Sequence, residues 1–238
     1  MLRENQRTAP MVFEDGDKNL VEVGGTRGSE STRRKFPQVS PDLSVRWCSA
    51  YLKIDVCATA IRNQDRFKGI KTVVLSGERG EESKARANYA IMEPDRSDLR
   101  DGKRFKRYVD RWRPIRDWKE EQVWDIIEQY NVRAHPAYYL GWGRVSCKFC
   151  IFGNADQVAS GFAISPEQGN KIADYEAEFD VTIKRDKSYR DLVDKGTPYG
   201  SITPSLVDLA TAYDYNENII MDQWTLPAGA FGDSCGPT

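Results

Sequence analysis

Apolar and polar residues recur along this chain with two periods, and each period marks a different kind of element. At 71–75 the run Lys-Thr-Val-Val-Leu predicts a short buried strand, which Gly77 ends. Residues 54–66 predict a helix before it, and residues 82–92 a helix after it. Strand, loop and helix in that order build an open α/β sheet that presents ligands at the carboxyl ends of its strands. Arg79 stands in that loop, placed to meet an anion.

Farther along, the period is that of a helix. Val123, Trp124, Ile127 and Tyr130 form one apolar stripe, headed by Asp117 as cap and by Glu120, which can reach back in a capping box. Trp118 and Trp124 are read as core residues that seat the loop after them. Ser165, Pro166 and Gln168 open a helix that runs through Ile172, Tyr175 and Phe179, and Thr203 with Pro204 opens another over 206–212. No repeat or low-complexity linker sets these helices apart, so 156–238 reads as a helical accessory region and tail continuing the core of 36–155. Residues 1–35 read as a flexible N-terminal segment.

Composition excludes several classes. Of 238 residues, 39% are hydrophobic and 30% charged, enough for one sizeable core and too charged for a membrane protein. Five cysteines, an odd number with one close pair, argue for metal or redox use in a reducing, cytoplasmic setting and against a disulfide framework. A net charge of −1 gives no global attraction to nucleic acid. The basic run within 96–116 (Arg100, Lys103, Arg104, Lys106, Arg107, Arg111, Arg113) can form a nucleic-acid face, but Asp95, Asp98, Asp101 and Asp110 dilute it, and a solvated charged hairpin is the reading adopted.

The chemistry concentrates at Cys-Lys-Phe-Cys, 147–150. Two thiolates at this spacing can grip one soft metal or cluster, or form a redox pair. Cys57 has no partner at ligand spacing and reads as structural. His135, the one histidine, reads as a loop residue hydrogen-bonded to backbone.

Three blocks stand in one order: Arg-Trp-Cys-Ser-Ala-Tyr-Leu-Lys at 46–53, Leu-Ser-Gly-Glu-Arg-Gly-Glu-Glu-Ser-Lys-Ala-Arg at 75–86, and the stretch 114–150. Together they resemble the phosphoadenosine phosphosulfate (PAPS) reductase family, whose wider group includes ATP-pyrophosphatase-type sulfurtransferases and the sulfur-inserting enzymes of DNA phosphorothioation. The resemblance implies a partial α/β domain with an adenine-nucleotide α-hydrolase-like, Rossmann-like parallel sheet and a C-terminal helical region. It implies Lys53, Arg79 and Arg86 as contacts of the nucleotide or its phosphosulfate. Arg144 is a further candidate cation, since a guanidinium donates two parallel hydrogen bonds to phosphate or sulfate. It implies Cys48, with Cys147 and Cys150, as thiolate ligands of a [4Fe-4S] cluster, zinc being the alternative. Cys235, followed by Gly236, loosely resembles the C-terminal nucleophile of assimilatory members; a fourth cluster ligand and an idle thiol are the other readings.

Members of that family begin with a strand and a Ser-Gly-Gly-x-Asp-Ser loop around the nucleotide phosphates. Residues 24–29 are the nearest match, but the polar segment 30–35 after them does not read as the amphipathic helix such a loop needs. The resemblance therefore implies a domain without its phosphate loop, completed by a second polypeptide. The expected function is that of a sulfur-metabolism oxidoreductase or transferase acting on an adenylated or phosphosulfated substrate by thiolate or iron-sulfur chemistry. A DNA phosphorothioation-type sulfurtransferase subunit and a non-catalytic assembly subunit retaining the fold are the alternatives.

Overall fold

The computed structural model describes residues 11–23, 35–40, 42–212 and 214–232. They fall into two units, the first built mainly from Ser40–Gly80 and Ala85–Arg116, the second from Lys35–Val39, Glu81–Lys84 and the described residues from Asp117 onward. Residues 24–34, with the glycine-rich segment singled out in the sequence, and 233–238, with Cys235, lie outside the described residues.

In the first unit, β1 (Met11–Glu14) and β2 (Leu20–Val23) form an antiparallel hairpin inside the segment read as flexible. Its turn is made by Asp15, whose Oδ1 accepts the N–H groups of Asp17 and Asn19 at 2.9 Å each, the local hydrogen bonding that suits aspartate to turns. After a π-helical turn at Ala50–Ile54, α1 (Asp55–Arg62) buries Ala58 and Ile61, shorter at both ends than the 54–66 expected. β3 (Lys71–Leu75) pairs in parallel with β5 (Tyr108–Trp112), and β4 (Met92–Pro94) pairs with β5 on its other side, antiparallel. Val109, at the centre, is fully buried.

Two expectations fail here. The helix over 82–92 shrinks to the single turn Lys84–Ala87, because the amides of Asn88 and Tyr89 close back on Ala85 and Arg86, and 92–94 take ladder partners on β5. The strand at 71–75 is not buried on both faces: Val73 is 46% and Leu75 64% exposed. Leu75, Trp112 and Met92 stand in register across the sheet on that same face, all exposed, and among the described residues no strand pairs with the outer edge of β3.

The basic run is a hairpin, as read, with Asp101, Lys103, Arg104 and Lys106 exposed to solvent and part of its charge turned inward. Asp95, Arg107 and Arg113 are buried. Arg111 donates to Asp95 at 2.6 and 2.9 Å, and Arg100 joins Asp98 at 2.8 Å and Asp110 at 2.6 Å. These pairs reach across 10 to 16 residues of sequence or lie within a turn, so the charges of Arg100 and Arg111 are answered inside the unit. The Asp98 carboxyl is pulled down to about 2, chiefly by the Arg100 hydrogen bond, with burial opposing and the Val109 N–H adding to it. A carboxylate held below its unfolded value of about 3.9 contributes stability that is complete above that pH and lost as pH falls toward about 2. The first unit is therefore expected to weaken between about pH 4 and pH 2, and Asp98→Asn to flatten that loss; urea unfolding at a series of acid pH values checks it, and an unchanged slope in the variant would refute the assignment.

The second unit is helical. α2 (Glu120–Gln129) starts two residues later than the Asp117 cap foretold: Gln122 Oε1 accepts the Lys119 N–H at 2.8 Å, and the Glu81 carboxylate accepts the Glu120 N–H at 2.5 Å, placing an anion at the helix N-terminus. Trp124 is buried edge-on against Tyr138 of the short helix α3 (Pro136–Tyr139), whereas Tyr130 is exposed and Trp118 half-buried. α4 (Ala155–Ile164), α5 (Pro166–Phe179), α6 (Tyr189–Lys195) and α7 (Pro204–Thr211) come next. Thr203 caps α7 as expected, accepting the Leu206 N–H at 3.4 Å. Ser165 precedes α5 but accepts no helix N–H with its side chain. α6 carries a capping box of Ser188 and Asp191 that no expectation from the sequence included. Val158, Tyr189 and Leu192 form the core, with Phe149 and Phe162 against it.

Candidate functional site

The loop Cys147-Lys148-Phe149-Cys150 is fastened by the two residues between its thiols. Phe149 sets its ring edge-on against the buried Tyr189 at 5.9 Å, over Gly161, where a Cβ would sit 2.8 Å from that ring. Lys148 Nζ donates to Ser165 Oγ at 2.5 Å and to Gln168 Oε1 at 3.4 Å, tying the loop to the start of α5. Burial lowers the Lys148 ammonium below its ordinary value. On the far side, the Gly153 N–H donates to the Cys150 carbonyl at 2.8 Å and Lys184 Nζ donates to the Ile151 carbonyl.

The thiols so held differ. Cys147 is exposed and Cys150 buried, and both are free of disulfides. The Cys150 thiol is drawn down from 9.0 to about 6, chiefly by a hydrogen bond from Cys147, against the opposing effect of burial; the Phe152 N–H and the charges of Arg144 and Lys184 add to the lowering. The lowering favours the thiolate of Cys150, the form that binds metal and attacks sulfur. Arg144 lies over the Phe152 ring at 4.7 Å, so its charge is fixed beside the loop.

The candidate anion residues Arg79, Arg86 and Lys53 belong to the first unit. Arg79 leaves the carboxyl end of β3 in a segment braced at three points: the Ser76 N–H donates to the Trp112 carbonyl at 3.0 Å, Arg113 holds Glu78 at 2.6 Å, and the Gly80 N–H donates to the Arg116 carbonyl at 2.7 Å. Gly80 has no room for a side chain to spare, since a Cβ there would lie 3.3 Å from the Arg116 carbonyl and 3.4 Å from Ala87 Cα. Burial raises the Glu78 carboxyl, but hydrogen bonds from Arg113 and Ser76 outweigh it and the net shift is downward. Arg86 is half-buried in the turn Lys84–Ala87, and Lys53 is exposed in the π-helical turn.

Of the three thiols the resemblance grouped as cluster ligands, the fold brings Cys147 and Cys150 together; Cys48, half-buried in the helical turn Trp47–Ser49, belongs to the other unit. Among the described residues no group of three or more His, Cys, Asp or Glu side chains is disposed to hold a metal ion. The dithiol itself suits a soft metal or cluster, because the Cys150 thiol is drawn below its ordinary value and the loop that carries the pair is fixed in place. Cys235 lies outside the described residues, and Cys57 is exposed on α1. His135 does what the sequence implied: its Nδ1 accepts the Ala137 N–H at 3.1 Å and caps α3. Arg113 and Lys184 were missed, because nothing in their local sequence reveals the groups they reach 35 and 33 residues away.

Residues 20–152 match the Phosphoadenosine phosphosulfate reductase domain. An uncharacterized 37.8 kDa protein of Escherichia phage 186 is 30% identical to the chain over 136 residues, covering 57% of this chain and 39% of that protein. No solved structure matches the chain. Among the described residues no helix is long and apolar enough to cross a membrane.

Proposed function

This chain belongs to the phosphoadenosine phosphosulfate reductase domain family, and on that premise we propose that it acts in sulfur metabolism on an adenylated or phosphosulfated substrate, through the Cys147–Cys150 dithiol. Its α/β fold is accordingly of the adenine-nucleotide α-hydrolase-like kind. The observation that carries the proposal is a pair of free thiols in a loop whose intervening residues anchor it, with the Cys150 thiol drawn below its ordinary value. A thiol so lowered ionises more readily, and the thiolate is both nucleophile and metal ligand.

Cys147 and Cys150 would hold a metal centre. A [4Fe-4S] cluster bound there would supply electrons or sulfur, and zinc would supply Lewis acidity. The chain's own cations have the other task. Arg79, aided by Lys53 and Arg86 of the same unit, binds the phosphate or sulfate oxygens, and the braces on its loop hold its backbone in place. The open edge of β3 and the exposed Val73 and Leu75 support the further reading that a second polypeptide adds a strand there and brings the phosphate loop.

Arg79→Ala is the direct test. Loss of a charge-assisted hydrogen bond of about 1.5 to 3 kcal/mol is expected to weaken adenine-nucleotide binding by about 10- to 150-fold in titration calorimetry. Equal affinity in wild type and variant would remove Arg79 from the site and with it the anion half of the proposal.

A further inference from the structure

The tip of the charged hairpin in the first unit carries a basic surface that none of the chemistry above uses. Leu99 and Arg107 pair across the hairpin, the Leu99 N–H donating to the Arg107 carbonyl at 2.8 Å and the Arg107 N–H to the Leu99 carbonyl at 3.2 Å. Gly102 turns the chain where a Cβ would lie 2.4 Å from the Phe105 carbonyl oxygen. The tip is tied sideways to the loop ahead of β3, because the Gly69 N–H donates to the Lys106 carbonyl at 2.9 Å. Residues 65–70 and 101–107 therefore share one surface.

In sequence, Asp95, Asp98, Asp101 and Asp110 dilute the basic run, but the fold removes three of the four from the tip. Arg111 holds Asp95, and Arg100 holds Asp98 and Asp110. Lys103, Arg104 and Lys106 are left exposed with Asp101, and among the described residues none of these three cations forms an ion pair. Lys68 joins them from the neighbouring loop, paired only with the exposed Asp65 at 2.5 Å. Beneath them Arg107 is buried, its Nε donating to the Ser97 carbonyl at 2.8 Å, and burial together with the charge of Arg62 lowers its pKa. Crowding like charge is unfavourable in the free protein, and a bound polyanion relieves it.

Apolar side chains stand among these cations. Phe105 is 42% and Ile70 51% exposed, and Lys68 Nζ lies 5.6 Å from the centre of the Phe105 ring. Cations that follow a phosphate backbone, interleaved with apolar side chains that meet unstacked bases, suit a single strand. A duplex, read here through its backbone alone, would leave the apolar side chains unused. An anionic membrane calls for an amphipathic helix with an apolar face to bury, and this surface is a hairpin tip and a loop.

We infer that Lys103, Arg104 and Lys106, with Lys68 and Phe105, form a binding surface for single-stranded nucleic acid, gripped chiefly through its phosphates. This goes beyond the sulfur chemistry above, which assigns the hairpin no part.

Fluorescence anisotropy of the full chain with a labelled oligothymidylate of about 20 nucleotides, longer than most single-strand sites, tests it. Log affinity is expected to fall against log salt with a slope of about −2 to −3, as three or four neutralised phosphates give. Reversing the tip with Lys103→Glu, Arg104→Glu and Lys106→Glu together is expected to weaken binding by about tenfold or more and to flatten the slope by about 2. Should circular dichroism show that variant unfolded, the three corresponding changes to Gln are expected to give a loss in the same direction. Lys171→Glu, Lys187→Glu and Lys195→Glu, an equal change of charge at exposed positions of the second unit, are expected to cost far less. A duplex of the same length is expected to bind more weakly than the single strand, and vesicles of phosphatidylserine and phosphatidylcholine not to bind. Absence of binding at low salt, a flat wild-type slope, undiminished affinity in a folded tip variant, an equal loss in the two triple variants, a duplex bound as tightly as the single strand, or vesicle binding that the tip variant abolishes would each overturn the inference.

Discussion

Anaerobically purified protein is expected to be brown and to carry iron and sulfide, and the double variant Cys147→Ser, Cys150→Ser to lose that iron entirely. The size of the effect comes from the geometry of the loop. A serine oxygen is a poor ligand for a soft metal. Lys148 and Phe149 still fasten the loop to Ser165 and Tyr189 in the variant, so the loss reports the sulfurs and not unfolding. Metal analysis and the visible spectrum provide the measurement. A zinc content replacing iron would select the zinc form of the proposal. Colourless wild-type protein with neither metal after anaerobic reconstitution, or a double variant with undiminished iron, would end the assignment.

Arg113→Ala is expected to destabilise the first unit by about 3 kcal/mol, the lower end of what breaking a buried ion pair costs. Arg113 is 4% exposed and serves four groups: Glu78 at 2.6 Å, Glu93 at 2.7 Å, the Ala90 carbonyl at 2.8 Å and the face of Tyr89 at 4.7 Å. Burial alone would lower its pKa, yet the two glutamates raise it, so the charged form is the one the fold holds. The lower end applies because Glu78 and Glu93 retain 29% and 44% side-chain exposure and water can partly compensate them. Lysine at this position cannot reproduce the planar fork, so Arg113→Lys should recover only part of the loss. Urea unfolding decides it; an unfolding midpoint equal to wild type would show that the pairs contribute nothing net.

The sequence carried the local signals well and the distant ones poorly. The strand at 71–75, the α7 cap at Thr203 and the backbone-bonded His135 all depend on residues within four positions of one another, and each stands where its pattern predicts. β4 has three residues and exists only because β5 pairs with it, and β5 itself alternates with Asp110 and Arg111, so neither shows a hydrophobic run. Arg107 and Arg113 read as surface charges because a sequence does not display the Ser97 carbonyl or the Glu78 carboxylate that answer them. The α2 cap moved for the same reason, its anion coming from Glu81. At the candidate site, the pair Cys147 and Cys150 was legible from spacing, while the anchoring of their loop on Gly161, Ser165 and Tyr189 was not, since those partners lie 12 or more residues away.

A motif written as two cysteines with any two residues between them treats the middle as free, and in this chain the middle is the constrained part. Phe149 is seated over Gly161, where even a methyl group would collide with the ring, and Lys148 spans to two side chains at the start of α5. Grafting the cysteines alone onto another scaffold would transfer the sulfurs without the mould that shapes them. The transferable unit is the tetrapeptide together with Gly161, Ser165 and Tyr189, and a library that varies positions 148 and 149 would have to vary those three in concert.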